Sequence, residues 1–202
     1  KILYDGHKHV PTASLSDDVF FMTFGGLSKN YRATGFRGGW VIASGAKEKA
    51  KSYLEGINLL ASMRLCANVP TQYAIQTALG GYQSIDDLVA EEGRLRKQRD
   101  LIQYKLTDIP GITCVKPKGS LYVFPKIDLK QFSFKDDEQF TMELLTEQRI
   151  LVVSGSGFNT FDHAHFRIVF LPNSEILNLA VNGISEFLEE KRVPIKHVTY
   201  SA

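Results

Sequence analysis

Lys29 and Arg37 stand eight positions apart in a glycine-framed stretch, Gly25-Gly26-Leu27-Ser28-Lys29 through Gly35-Phe36-Arg37-Gly38-Gly39-Trp40. The stretch closes a run of apolar residues and threonine, Val19 to Phe24, that reads as a strand. Loops at strand ends display side chains that a rigid scaffold holds, and chemistry concentrates there. The glycines keep the surroundings of both cations small, so the ring or backbone of a ligand can come close. A lysine amine can form a Schiff base, and a guanidinium fork grips a phosphate. That pair is a minimal kit for holding pyridoxal phosphate (PLP), with Ser28 as a nearby hydroxyl. A desolvated Lys29 beside Arg37 is expected to have a lowered pKa, which favours the neutral amine. The competing readings are a solvated loop lysine and, for Arg37, a structural salt bridge.

A third cation is Arg167, in His165-Phe166-Arg167-Ile168-Val169-Phe170-Leu171-Pro172. A guanidinium flanked by apolar strand residues is costly unless it meets an anion, and its fork matches a carboxylate in two parallel hydrogen bonds. The alternative is a strand arginine that pairs with a nearby glutamate or reaches solvent. Gly155-Ser156-Gly157-Phe158 is a glycine-rich loop without the lysine and Ser/Thr of a P-loop. His7 and His9 alternate around Lys8, but no carboxylate or cysteine stands at ligand spacing, so no metal site is expected.

The Lys29 segment resembles the Ser-Leu-Ser-Lys-x-x-x-x-x-Gly-x-Arg-x-Gly motif of class I/II PLP-dependent aminotransferases of fold type I. It reads here as Gly26-Leu27-Ser28-Lys29, then Gly35, Arg37 and Gly39. Gly26 stands where the family often has Ser or Thr as a phosphate ligand. Within the family the likeness is greatest to bacterial alanine (glutamate–pyruvate) aminotransferases, through Ser62-Met63-Arg64-Leu65-Cys66-Ala67-Asn68-Val69-Pro70 and Phe124-Pro125-Lys126-Ile127-Asp128. It runs from the first residue to about Lys191. The resemblance implies that Lys29 is catalytic and carries PLP, that Arg37 and Ser28 bind it, that Arg167 binds the substrate α-carboxylate, and that Asn68 reaches the site of a neighbouring subunit. Gly119-Ser120-Leu121-Tyr122 resembles the strand start that lies near the substrate, and Gly155 to Phe158 the loop at the mouth of the site.

The resemblance also implies amino-acid and 2-oxo-acid substrates, a homodimer, and a cytoplasmic enzyme. About half of the family's chain would lie upstream, with further cofactor contacts, so this stretch alone is expected to be inactive. Two alternatives stay open: another enzyme on the same scaffold, such as a carbon–sulfur lyase, or the aminotransferase-like sensor domain of a transcription regulator. Lys29, Arg37 and Arg167 are expected to converge on one small anionic guest.

The composition agrees with a globular chain. It has 202 residues, 44% hydrophobic and 23% charged, enough for one domain or two small ones. A net charge of +2 gives no reason to expect nucleic acid or an anionic membrane as partner. No apolar run approaches the roughly 18–20 residues of a membrane span. The two cysteines, Cys66 and Cys114, show no pairing pattern and read as free thiols.

Elements must position these residues. Lys1 to Tyr4 reads as a strand end, Asp5-Gly6 as a turn, and Val19–Phe24 and Gly38–Ser44 as strands buried on both faces of a mostly parallel sheet. Helical spacing predicts helices over Ala46–Ala61, Pro70–Leu79 and Ile85–Thr107, the last with a solvated face of Arg94, Arg96, Lys97 and Arg99. Strands follow over Ile112–Val115 and Ser120–Ile127, a helix over Phe140–Gln148, and strands over Ile150–Val153 and Phe166–Leu171. A last helix, Glu175–Glu190, is expected to turn Ile176, Leu179, Ala180, Gly183, Ile184 and Phe187 inward, and the residues beyond Pro194 to form a loose tail. The fold class is α/β: residues 1–94 as the C-terminal portion of a large PLP-binding domain, then residues 95–202 as a small α+β domain.

Overall fold

The computed structural model describes residues 1–194, so the expected tail lies outside the described residues. Contacts divide the chain into two units, Lys1–Asp87 and a second that begins at Leu88.

In the first unit, β1 (Phe20–Gly26) and β2 (Gly39–Gly45) pair antiparallel, with Phe20 opposite Gly45 and Gly26 opposite Gly39. Their connection carries the short helix α1 (Leu27–Asn30) and a 3-10 turn at Thr34–Phe36. A second 3-10 turn, Lys47–Ala50, leads into α2 (Lys51–Arg64), then α3 (Val69–Gly80) and α4 (Ser84–Val89).

The second unit holds most of the buried apolar residues. Helices α5 (Arg94–Thr107), α6 (Asp137–Gln148) and α7 (Ser174–Glu190) surround two small sheets. One pairs β3 (Ile112–Thr113) with β5 (Lys126–Ile127). The other has the order β4 (Tyr122–Val123), β7 (Phe166–Val169), β6 (Val153–Ser154).

The mixture of helix and sheet is the α/β character expected, while the pairings among the described residues include none of the parallel ones. Every strand pairing among the described residues is antiparallel. A continuous apolar run reports a demand for burial and says nothing about strand direction. That demand goes unmet within this chain, since Phe24 is 75% and Ile42 53% exposed.

Three further expectations change. The single helix over Ile85–Thr107 is two, α4 and α5, because Gly93 takes an extended backbone and caps the second. Arg99 does not belong to a solvated face. It is fully buried, donates to Asp100 Oδ1 at 2.8 and 2.9 Å, and donates to the Pro117 carbonyl at 3.1 Å. The single strand Ser120–Ile127 is broken by Pro125, which has no N–H for a ladder and instead accepts from Phe166 N at 3.1 Å.

Helix α7 carries two apolar stripes rather than one. Leu177, Val181, Ile184, Phe187 and Leu188 enter the core, while Ile176 and Leu179 stay 54% and 71% exposed. Those two line an open groove with Leu151 and Val169. Of the residues expected inward, Ile184 and Phe187 are buried but Ile176 and Leu179 are not, and Leu177, Val181 and Leu188, which the spacing did not single out, take the core side instead.

An aromatic cluster fills the core. The Phe140 ring lies 5.4 Å from Phe134, 5.0 Å from Phe166 and 6.0 Å from Phe187. Because Phe140 is fully buried, Phe140→Ala removes the ring and leaves a cavity, for a loss of about 3–5 kcal/mol. Denaturant titration should show a lower midpoint at unchanged slope; a loss under about 1 kcal/mol would mean that the neighbouring rings collapse into the space.

Candidate active site

The connection between β1 and β2 is the first part of the site. Its base is closed by the Gly26–Gly39 pair and by Leu27 N donating to Gly38 O at 3.0 Å. Ala33 N closes it again on Leu27 O at 3.1 Å. Leu27 is buried and anchors α1, which leaves Ser28 half-buried and Lys29 exposed at the end of the helix. The burial expected of Lys29 is not supplied by the described residues of the first unit.

Arg37 sits at the other end of the same connection, exposed, with its backbone in the left-handed region at φ 53°. That conformation costs a residue with a Cβ roughly 1–2 kcal/mol, and such strain tends to be kept where a side chain must be aimed. Its Nη1 donates to the Thr34 carbonyl at 2.9 Å, which bends the side chain back over its own turn. Among the described residues no carboxylate pairs with Arg37, so the salt-bridge alternative is not realised here.

Thr71 holds this turn, and sequence reasoning missed it. The residue is buried, its Oγ1 donates to Phe36 O at 2.7 Å, and a Cβ at Gly38 would lie 2.2 Å from its methyl carbon. Gly38 is thus the one residue type that lets α3 approach the Arg37 turn. Asn68 caps that helix, with Oδ1 accepting from Thr71 N at 3.3 Å and Pro70 in the first turn. The structure thus gives Asn68 a local task, the placement of Thr71. A threonine following Asn-x-Pro was visible in sequence, but its partner lies 35 residues away.

The second part lies in the second unit around Arg167. Its half-buried guanidinium stands 4.5 Å from the ring centres of both Tyr122 and Phe158. Tyr122 comes from β4, paired with β7, and Phe158 from the Gly155–Phe158 turn. Both stretches were marked in the sequence, yet neither aromatic was assigned a task there. Two rings at that distance give the guanidinium cation–π contacts that do not use its N–H donors. Among the described residues no carboxylate pairs with Arg167.

Beside these rings, Phe124 meets Phe158 edge-on at 6.0 Å and stacks on His165 at 5.0 Å. His165 Nδ1 lies 2.9 Å from Asp162 Oδ1, and Lys126 Nζ donates to Asp162 Oδ2 at 2.6 Å. The Lys126 hydrogen bond, helped by His165, holds the Asp162 carboxyl down to about 2.

These are the two stretches that the motifs singled out. The model of the family "Aminotransferase class I and II" matches residues 2–182. The chain belongs to this family. Glutamate-pyruvate aminotransferase AlaA of Haemophilus influenzae is 52% identical over 192 residues, covering 95% of this chain and 48% of the relative. Alanine aminotransferase of Mycobacterium bovis is also 52% identical, over 95% of this chain and 45% of its own length. The chain thus spans about half the length of the curated relatives it matches. Among solved structures, an aminotransferase from Escherichia coli superposes with a TM-score of 0.87 at 48% identity, covering 96% of this chain and 48% of that one. Alanine aminotransferase from Pyrococcus furiosus does so at 0.84 and 37%, covering 94% of this chain and 47% of that one.

The Asp162 geometry fixes a pH dependence. Its folded pKa is depressed, so the ion pair stabilises above the unfolded value of about 3.9 and the contribution is lost as pH falls toward about 2. Lys126→Met should lower Tm near neutral pH, with the gap to wild type closing as pH drops from about 4 to 2. A gap that persists in acid would assign the effect to packing of the Lys126 stem.

Proposed function

We propose that this chain is the C-terminal half of a PLP-dependent transaminase that moves an amino group between alanine or glutamate and a 2-oxo acid, pyruvate or 2-oxoglutarate. In this reading residues 1–94 belong to the large cofactor-binding domain and 95–202 form the small domain. The observation that carries the proposal is the β1–β2 connection, where a lysine amine and a strained arginine share one glycine-closed loop. The names of the relatives support the choice of substrates.

The residues present suit the cofactor. Its aldehyde asks for an amine and its phosphate for a fork of donors, and the loop supplies Lys29, Arg37 and the Ser28 hydroxyl on backbone that glycines keep thin. When bound, PLP supplies an electrophilic carbon for the amino group and a ring that withdraws electrons from the substrate. The chain's own residues do the rest. Arg37 neutralises the phosphate. Lys29 would hold the cofactor through its amine, and that amine, once freed, would take the proton from the substrate α-carbon as base and deliver it as acid to the cofactor carbon that bears the amino group. Arg167 fixes the α-carboxylate, so that the bond to be broken is oriented rather than found by chance.

Two further parts of the reading have separate support. Leu60, Met63, Leu65, Val69 and Tyr73 are exposed along α2 and α3, apolar surface suited to the homodimer. Cys66 and Cys114 are free, as suits a cytoplasmic enzyme. No helix among the described residues is long and apolar enough to cross a membrane.

The test uses the full-length enzyme with alanine and 2-oxoglutarate. Formation of pyruvate and glutamate supports transamination, whereas release of ammonia would make it a lyase. Lys29→Ala should remove the visible absorbance of the bound cofactor and lower kcat by at least about 10²–10⁴-fold. Arg167→Ala should raise the amino-acid KM and lower kcat together, because misorientation is felt in the transition state. An unchanged KM would leave Arg167 without a substrate role.

A further inference from the structure

Asp137 is fully buried, yet it is one of the most heavily used acceptors in the second unit. Its Oδ1 accepts from Ser156 Oγ at 2.6 Å, and its Oδ2 accepts from Ser156 N and His165 N, both at 3.2 Å. Its own N–H donates to His163 O at 2.8 Å, and Ser156 Oγ also meets His163 Nδ1 at 2.7 Å. The neighbouring Asp136 caps α6 through Gln139 N at 2.8 Å, so the Asp137 carboxylate lies in the first turn, where the helix dipole favours a negative charge. A buried carboxylate held this way is costly to take apart, since each donor would be left without its partner.

The segments it ties together are the two that frame Arg167. One is the Gly155–Phe158 turn, whose Phe158 ring faces the guanidinium at 4.5 Å. The other is the start of β7, where His165 and Phe166 precede Arg167 itself. Gly155 N also donates to His165 O at 2.7 Å, and a Cβ at Gly155 would fall 2.6 Å from that of His165. The turn is therefore pressed against the strand, and Asp137 is the bolt that holds both.

We propose that Asp137 is the positioning residue of the carboxylate site: through Ser156 and His165 it sets the distance between the Phe158 ring and Arg167, and so aims the guanidinium edge at its anion. This rests on the transaminase reading only for the identity of the anion. Asp137 touches no substrate. It acts through Phe158, whose ring lies 4.5 Å from the guanidinium carbon and restricts where that group can sit. Neither the family motif nor residue spacing marks it, because an aspartate at a helix start reads as an ordinary cap.

The test compares full-length wild type with Asp137→Asn, Phe158→Leu, their double variant, Ser156→Ala and Ser156→Thr. The readouts are KM for alanine, the Kd of maleate (an unreactive dicarboxylate) by calorimetry, and Tm. Asp137→Asn keeps the volume but turns an amide toward donors. It should raise KM and the maleate Kd by roughly five- to tenfold, the scale of one lost cation–π contact. Phe158→Leu should do the same, and the double variant should be no worse than the worse single, since both break one chain of contacts. Ser156→Ala should move both constants in the same direction and Ser156→Thr should restore them, which keeps the test open if Asp137→Asn fails to fold. Lowered Tm with unchanged KM and Kd, or strictly additive effects in the double variant, would overturn the proposal. Wild type that binds maleate but makes neither pyruvate nor glutamate overturns the transaminase reading alone, and the maleate titrations still decide the role of Asp137.

Discussion

A guanidinium taken partly out of water must be satisfied on every side, and the second unit is arranged around that requirement. That guanidinium belongs to Arg167, on β7. Tyr122 and Phe158 each place a ring 4.5 Å from it, and among the described residues no carboxylate pairs with it. Supplying a carboxylate from the protein would have made the site a structural ion pair, closed to any visitor. Two rings satisfy the group without closing it. Placing those rings is the work of β4, of the Gly155–Phe158 turn, and of the packed α6 start behind them.

The first unit solves a different problem with similar economy. The loop carries two exposed cations, and its base is fixed by backbone pairing rather than by their side chains. Thr71 then reaches in from α3 and clamps Phe36, one residue before the strained Arg37. In both units the chemistry-bearing side chain is exposed or half-exposed, and a fully buried polar residue next door, Thr71 or Asp137, holds the backbone that aims it.

Sequence told a good deal about this arrangement. The Lys29–Arg37 spacing and the placement of Arg167 in an apolar strand were both legible, because those residues are unusual for their surroundings. Helices α2, α3, α6 and α7 emerged from their periodicity within a few residues. Strand direction did not, since Val19–Phe24 has one composition whether its neighbour runs parallel or antiparallel. The burial of Arg99 was hidden for another reason: its satisfaction comes from Asp100 and from a carbonyl at Pro117, and no local pattern announces a carbonyl. Thr71 and Asp137 were invisible in the same way. Their partners are 35 and 19 residues distant, and each residue type has a plainer local explanation.

The left-handed backbone at Arg37 has a bearing on how this protein could change under selection. Glycine or asparagine would sit more comfortably at that position, so a search for heat tolerance alone would favour them. Each such gain would delete a charge that the loop was bent to present. A library sorted for robustness would therefore drift toward well-folded molecules that lack the guanidinium at this turn, and position 37 is where that conflict would first show.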